Sequence, residues 1–478
     1  MDLQFADQPV VQAQLLQTMA KTLRVLGLLD KAIEPQQRAL ALRRGALGDQ
    51  HADTLASIQE TGYLQYARGA FAEAEPYYRA ALDGVRRTLG DGHPRTLDGF
   101  SVMCGLKQSH GRLDQAEPFC RQALDGRRRT LGSDHPDTLA ASDAMAYLLE
   151  ARGQLAEAEP YCREALEGRR RVLGEDHPTT LGSIGHMADV LRAQGRLAEA
   201  TDHYRDLLAR SRRVKGDEHA DTLNTLVNLN VVLQSMGRYA EAEPYCRELL
   251  ESRRRLLGSE HPDTPMSLDE LGSVLRGQGQ LVEAEPYHRA AMESRRRLLG
   301  DDHPHVLVSA RNMSLLLQLQ GRYEEAEAHY REVLETQRRH TPPDEAAVAA
   351  AAASLGAHLL KQSRFAEAEP LCREALVIRE RILTADHPNA WLRHNAASLL
   401  GGAVAGQGRF SEAERLLLDA FEALNHSPAG AVRQREALER IVELYEAWNQ
   451  AEPGQGHDTH AAEWRSRLAD LDAAGVPR

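Results

Sequence analysis

The chain is poor in several things that enzymes and membrane proteins use. Aromatic residues make up 5% of its 478 positions, and only five lysines stand among 58 basic residues. No stretch approaches the roughly 18 consecutive apolar residues that would span a bilayer, so no membrane segment is expected. The first twenty residues, MDLQFADQPVVQAQLLQTMA, hold no basic start followed by an apolar run, so no secretory leader is expected. No Gly-x-Ser-x-Gly, no Gly-Lys-Ser/Thr phosphate loop and no His-Glu-x-x-His occurs, which speaks against an enzyme and against a bound cofactor. A net charge of −12 disfavours a nucleic-acid partner unless the basic residues gather on one stripe.

What the chain has is a period. His51, His93, His135, His177, His219, His261, His303 and, after a missed beat at Glu345, His387 recur every 42 residues or a multiple of it. Each sits in a Leu-Gly-x-x-His-Pro-x-Thr segment or a variant, such as Leu131–Thr138. Self-similarity at 20–50 residues marks a repeat array, whose units bury apolar faces only against their neighbours. Length alone would suggest about three domains; the unbroken period indicates one elongated solenoid instead.

One unit reads as two helices. Gly132 ends a helix where a left-handed residue is wanted. His135-Pro136-Asp137-Thr138 then opens the next, with proline at the first helical position and an acid near the positive helix end. A first helix at about 136–151 carries Leu139, Met145, Ala146 and Leu149 on one stripe. Gly153 breaks it, with equivalents at Gly27, Gly69, Gly111, Gly195, Gly237, Gly279, Gly321 and Gly408, and Ser363 as the exception. A second helix follows at about 155–172. Its alanine five residues after the glycine is present in all ten units, from Ala32 and Ala74 to Ala368 and Ala413, as close helix approach requires. Prolines such as Pro76 and Pro160 fall within its first two turns, where a lost backbone bond costs least.

About ten helix pairs fit between residues 10 and 424, forming a predicted solenoid domain at 1–424. A divergent capping pair at roughly 431–448 and 460–473 makes a second region at 425–478, with Ala451–Gly456 as a loop. The fold class expected is therefore all-α, a right-handed superhelical α-α solenoid of ten to eleven helix pairs.

Cys120, Cys162, Cys246 and Cys372 share one repeat position with Tyr78, Tyr204, His288 and Tyr330, which marks a semi-buried packing slot. Equivalent helices of neighbouring units lie roughly 10 Å apart, too far for a disulfide. Reduced thiols and a cytoplasmic location are expected. The histidine row tempts one towards metal, yet ligands spaced by about 10 Å cannot converge on one ion; capping of backbone N–H groups at helix starts, or packing under the turn, is the better reading. Two arginine series, from Arg79 to Arg373 and from Arg87 to Arg381, recur once per unit. A glutamate four residues before the first series (Glu75, Glu117, Glu159, Glu243, Glu285, Glu327, Glu369) favours a solvated, ion-paired face, at about 0.2–0.5 kcal/mol per pair.

Glycine turn, Leu/Tyr/Phe, then Ala, Tyr/Cys and Ala at fixed offsets resembles the tetratricopeptide repeat. The 42-residue length and the Leu-Gly-x-x-His-Pro linker resemble its kinesin-light-chain subtype. Phe5-Ala6-Asp7-Gln8-Pro9, then Trp391 to Gly401, Ile441 to Trp448 and Ala462 to Arg465, resemble the two ends of the repeat tail of bacterial serine/threonine kinases. No Gly-rich strand-turn motif, His-Arg-Asp or Asp-Phe-Gly accompanies them.

These resemblances imply a non-catalytic scaffold that holds a protein or peptide in the concave groove lined by first helices. They also imply an alternative, a regulatory or substrate-recruiting arm whose partner is a serine/threonine kinase or its substrate. Carried over by register, the groove residues are Tyr63, Tyr66, Asp143, Tyr147, Asp189, Arg192, Asn224, Asn228, Gln234, Asp269, Arg276, Arg311, Asn312 and Gln318. The subtype's asparagine ladder is matched only by Asn228 and Asn312. Glu60, Val102, Ala144, His186, Glu270 and Ser354 stand elsewhere, which speaks against a backbone clamp along most of the groove.

Overall fold

The computed structural model describes residues 8–473 apart from 341, 385, 386, 388 and 426–430. Phe5-Ala6-Asp7 of the N-terminal segment therefore lies outside the described residues. Those described form 22 α-helices and no strand, as expected of an all-α repeat. None is long and apolar enough to cross a membrane.

The chain divides into two compact units, Met1–Val232 and Leu233–Arg478. In the first, helix pairs run α1 (Pro9–Val25) with α2 (Leu29–Leu47), α3 (Ala52–Ala67) with α4 (Phe71–Leu89), and α5 (Pro94–Ser109) with α6 (Leu113–Leu131). Then follow α7 (Pro136–Ala151) with α8 (Leu155–Leu173) and α9 (Pro178–Ala193) with α10 (Leu197–Lys215). The division falls inside α11 (Ala220–Ser235). The second unit continues with α12 (Tyr239–Leu257), α13 (Asp263–Gly277), α14 (Leu281–Leu299), α15 (Pro304–Leu319) and α16 (Tyr323–Arg339). It ends with α17 (Glu345–Lys361), α18 (Phe365–Ile382), α19 (Trp391–Ala405), α20 (Phe410–Asn425), α21 (Ala431–Ala451) and α22 (His457–Ala473).

The helices expected at 136–151 and 155–172 are α7 and α8. The histidine row has one local job. In all eight, Nδ1 accepts a hydrogen bond from the backbone N–H two residues on, at 3.0–3.2 Å. From His51 to His303 that satisfies a donor which the start of a helix otherwise leaves without a partner, whereas the donor of His387 is Asn389 in the turn before α19. At the missed beat Asp344 takes over, its carboxylate accepting from Ala347 N at 3.1 Å. The glycine between the helices of each pair is left-handed, with φ from 70° to 79°; Ser363 is forced to φ 59° in the same role. All ten repeat alanines, Ala32 through Ala413, have no exposed surface.

Within a pair, the slot on the second helix faces one position on the first, and the two trade size. A Cβ on Gly62 would lie 3.0 Å from the Tyr78 ring, on Gly272 2.9 Å from His288, and on Gly356 2.7 Å from the Cys372 sulfur. This corrects the reading of the cysteines. Cys104 stands at that facing position and forms a disulfide with Cys120 inside one unit, Cα to Cα 5.2 Å. Comparing slots between units could not reveal it, because the fifth cysteine is a different register position. Cys162, Cys246 and Cys372 are free and buried.

Candidate functional site

First helices of successive pairs touch one another, α5 with α7, α13 with α15 and α17 with α19. They form the short inner face of each unit, and the residues read as groove residues fall on it in three different situations.

Some are open. Tyr63 is 40% exposed with the Arg24 guanidinium 5.2 Å above its ring, and Tyr147 is 52% exposed. Arg192, Asn224 and Arg311 are exposed. Others are half-buried: Tyr66, whose hydroxyl bonds Ser109 at 2.8 Å, together with Asn228, Gln234, Asn312, Asp189 and Arg276. Asp189 accepts from the Tyr204 hydroxyl at 2.5 Å and lies 3.5 Å from Arg192. Burial lowers the pKa of the Arg276 guanidinium and raises that of the Glu270 carboxyl on the same helix.

The third group is committed inward. Asp143 holds Arg169 and sits 3.5 Å from His186, whose ring stacks under Tyr147 at 3.7 Å. Asp269, 6% exposed, binds Arg295, Ser309 at 2.6 Å and His288 at 2.9 Å. Gln318 is buried and hydrogen-bonds His358 at 2.7 Å. These polar groups tie neighbouring helix pairs together. The structure thus brings Tyr147, Asp143 and Asp189 into one neighbourhood of the first unit, and Asp269, Arg276, Arg311 and Gln318 onto the inner layer of the second.

The second helices present the ion-paired outer face. Every glutamate of the series Glu75 to Glu369 holds the arginine four residues on. Several also accept from the next pair's turn: Glu117 from Arg152, Glu159 from Arg196, Glu285 from Arg322, Glu327 from Arg364 and Glu369 from Arg409. Arg409, Arg373 and Gln407 together hold the Glu369 carboxyl down at about 2. The later arginines Arg171, Arg213, Arg297 and Arg381 pair with Asp134, Asp176, Glu260 and Glu345.

A third arginine series escaped the sequence reading. Arg43, Arg127, Arg169, Arg253, Arg295 and Arg379 share one register, interrupted by Val85, Ser211 and Gln337. They are buried or nearly so, at the end of a second helix. Each reaches a first helix. Arg43 bonds Gln17 at 2.9 Å behind and Ser57 at 2.5 Å ahead; Arg253 bonds Ser267 at 2.8 Å; Arg295 bonds Asp269 behind and Ser309 at 2.5 Å ahead. Arg127 bonds Ser101 at 2.7 Å and Arg379 the Leu392 carbonyl at 2.9 Å. The signal was present: an arginine column with a serine fourteen residues on after Arg43, Arg169, Arg253 and Arg295, broken by valine, is not a solvated-face pattern.

Tetratricopeptide repeat family models match residues 11–87, 101–158, 139–213, 180–232, 266–339 and 348–426, with further matches at 222–263 and 313–382. The chain belongs to the tetratricopeptide repeat family. Such repeats serve in general as protein–protein interaction scaffolds, and no kinase domain is indicated.

Solved structures similar to this tetratricopeptide repeat protein include a putative kinesin light chain from Podosopora anserina with nearly identical TPR-like repeats. It is 25% identical, covering 43% of this chain and 98% of that one, with a TM-score of 0.41. BtubC (BKLC) from P. vanneervenii is 22% identical over 49% of this chain and 94% of its own, with a TM-score of 0.42. A Signal Transduction ATPase with Numerous Domains from Pyrococcus horikoshii, with a tetratricopeptide repeat sensor, is 13% identical over 68% of this chain and 48% of its own, TM-score 0.50. That last likeness concerns the fold alone. No curated protein matches the chain.

Proposed function

We propose that the first-helix face of this tetratricopeptide repeat protein holds a peptide or protein partner, and that the chain acts as a non-catalytic scaffold. One contrast carries the reading. On the second helices the recurring outward glutamates and arginines satisfy each other, whereas the first-helix face leaves Tyr63, Tyr147, Asn224 and Arg311 open. Aromatic and arginine side chains on a stiff frame are the usual anchors of interfaces, and a preformed face loses little ordering entropy on binding. The terminal segments that resemble kinase tails make a serine/threonine kinase, or its substrate, the first protein partner to assay.

The test is peptide binding by paired variants. Peptides selected from a random display library on the intact chain should bind Asn228→Ala/Asn312→Ala or Arg311→Ala at least about tenfold more weakly, the size of a modest hot spot. The outer-face variant Arg163→Ala/Arg289→Ala should bind as the parent does. Equal losses on both faces would remove the assignment.

A further inference from the structure

The row of buried arginines is broken at Val85, Ser211 and Gln337, and the first break leaves space. At Val85 the guanidinium is replaced by an isopropyl group, and Gly99 occupies the serine position fourteen residues on. Both halves of the rung are missing at the same joint, and what remains between α3, α4 and α5 is a cavity of about 110 Å³. Its walls are Leu55, Tyr78, Leu82, Val85 and Val102; Gln59, Arg95 and Asp98 surround the opening. Gln59 stands in the register of Gln17, which at the preceding joint accepts from Arg43. Here it borders empty space. It is exposed and one helical turn from Tyr63, so the opening belongs to the first-helix face.

The chemistry of the opening is specific. Asp98 is already held by Arg127 at 2.6 Å. Arg95 is exposed and, among the described residues, lies within ion-pair distance of no carboxylate. An apolar-walled site with one unmatched cation suits an apolar side chain with a negative neighbour. Cavities of roughly 150 Å³ admit a benzene ring; this one is smaller and suits an aliphatic group.

We propose that this vacant rung is a side-chain pocket that receives a leucine- or isoleucine-sized residue of an extended peptide, with an adjacent aspartate or glutamate meeting Arg95. It rests on the reading of the first-helix face given above and names the partner chemistry for one place on it.

The test uses a random twelve-residue peptide display library on the intact chain, on Val85→Arg/Gly99→Ser, and on Arg95→Glu. The first variant rebuilds the rung with groups that other joints of this chain already accommodate, and so fills the pocket. Peptides selected on the parent should carry Leu or Ile beside Asp or Glu, and should bind the rebuilt chain at least about tenfold more weakly, as loss of one buried aliphatic side chain implies. Selection on Arg95→Glu should replace the acid with Lys or Arg, and this surface variant decides the matter if the rebuilt chain does not fold. Peptides that bind parent and rebuilt chain alike, yet fail on Asn228→Ala/Asn312→Ala, would overturn the pocket and leave the face assignment standing. No enrichment at all would overturn both.

Discussion

Arg295→Met is the sharpest probe of how the units are joined. The Arg295 and Asp269 side chains are each only 8% exposed, and they meet between α13, α14 and α15 with Ser309 as a third member. Removing the cation leaves a buried carboxylate with only Ser309 and His288 beside it, which costs about 3–5 kcal/mol, much more than the pair itself is worth. At about 2–4 °C per kcal/mol for a unit of 150–250 residues, the melting transition that contains Leu233–Arg478 should fall by roughly 6–20 °C. Arg295→Met/Asp269→Leu should recover at least half of that loss, because replacing both ions with apolar groups of similar size is often neutral. Arg289→Met, which breaks the open pair with Glu285, should cost under about 1 kcal/mol. Scanning calorimetry of the four proteins checks all of this. An Arg295→Met loss no larger than that of Arg289→Met, or a double variant that melts no higher than Arg295→Met, would refute the reasoning.

Ala242→Leu forces three more heavy atoms into a position with no exposed surface and should cost about 1–3 kcal/mol; an unchanged melting temperature would contradict the register. Ser363→Gly releases a left-handed serine and should stabilise by about 1 kcal/mol, read as a higher urea midpoint. The carboxyls Glu117, Glu243 and Glu369 sit below their ordinary values because arginines and glutamines hold the ionised form. A depressed folded value means that the stabilisation is complete above the unfolded value of about 4.3. It drains away as pH falls towards about 2, the folded value of Glu369. Melting temperature should therefore hold from pH 7 to 5 and drop below pH 4.5, less steeply in Glu369→Gln; an indifferent Glu369→Gln profile would count against the clamp.

Much of this was legible because each unit repeats the same local solution. His135 before Pro136 states a helix start, Gly153 a left-handed turn and Ala158 a close contact, and nine or so copies remove the ambiguity of any one. Side chains whose environment is set by another segment were less legible. Asp143, Asp269 and Gln318 border the packing stripe of their helix, and partners from elsewhere, Arg169, Arg295 and His358 among them, make their burial tolerable. The Arg43 column hid behind its substitutions at Val85, Ser211 and Gln337, and the first of these borders the cavity. Cys104 was overlooked because its partner Cys120 belonged to a row compared only with itself.

Excision of one unit tests the central claim most directly. Removing Pro136–His177 deletes α7 and α8 and joins His135 to Pro178, which recreates the His-Pro helix start at the new joint. Units that rest only on neighbours should close over the gap: circular dichroism should give unchanged helicity per residue and a cooperative melt. Removing only Pro136–Gly153 and Gln154, a single helix with its turn, should leave apolar faces unmatched and yield an aggregating chain. Equal behaviour of the two deletions would contradict the account.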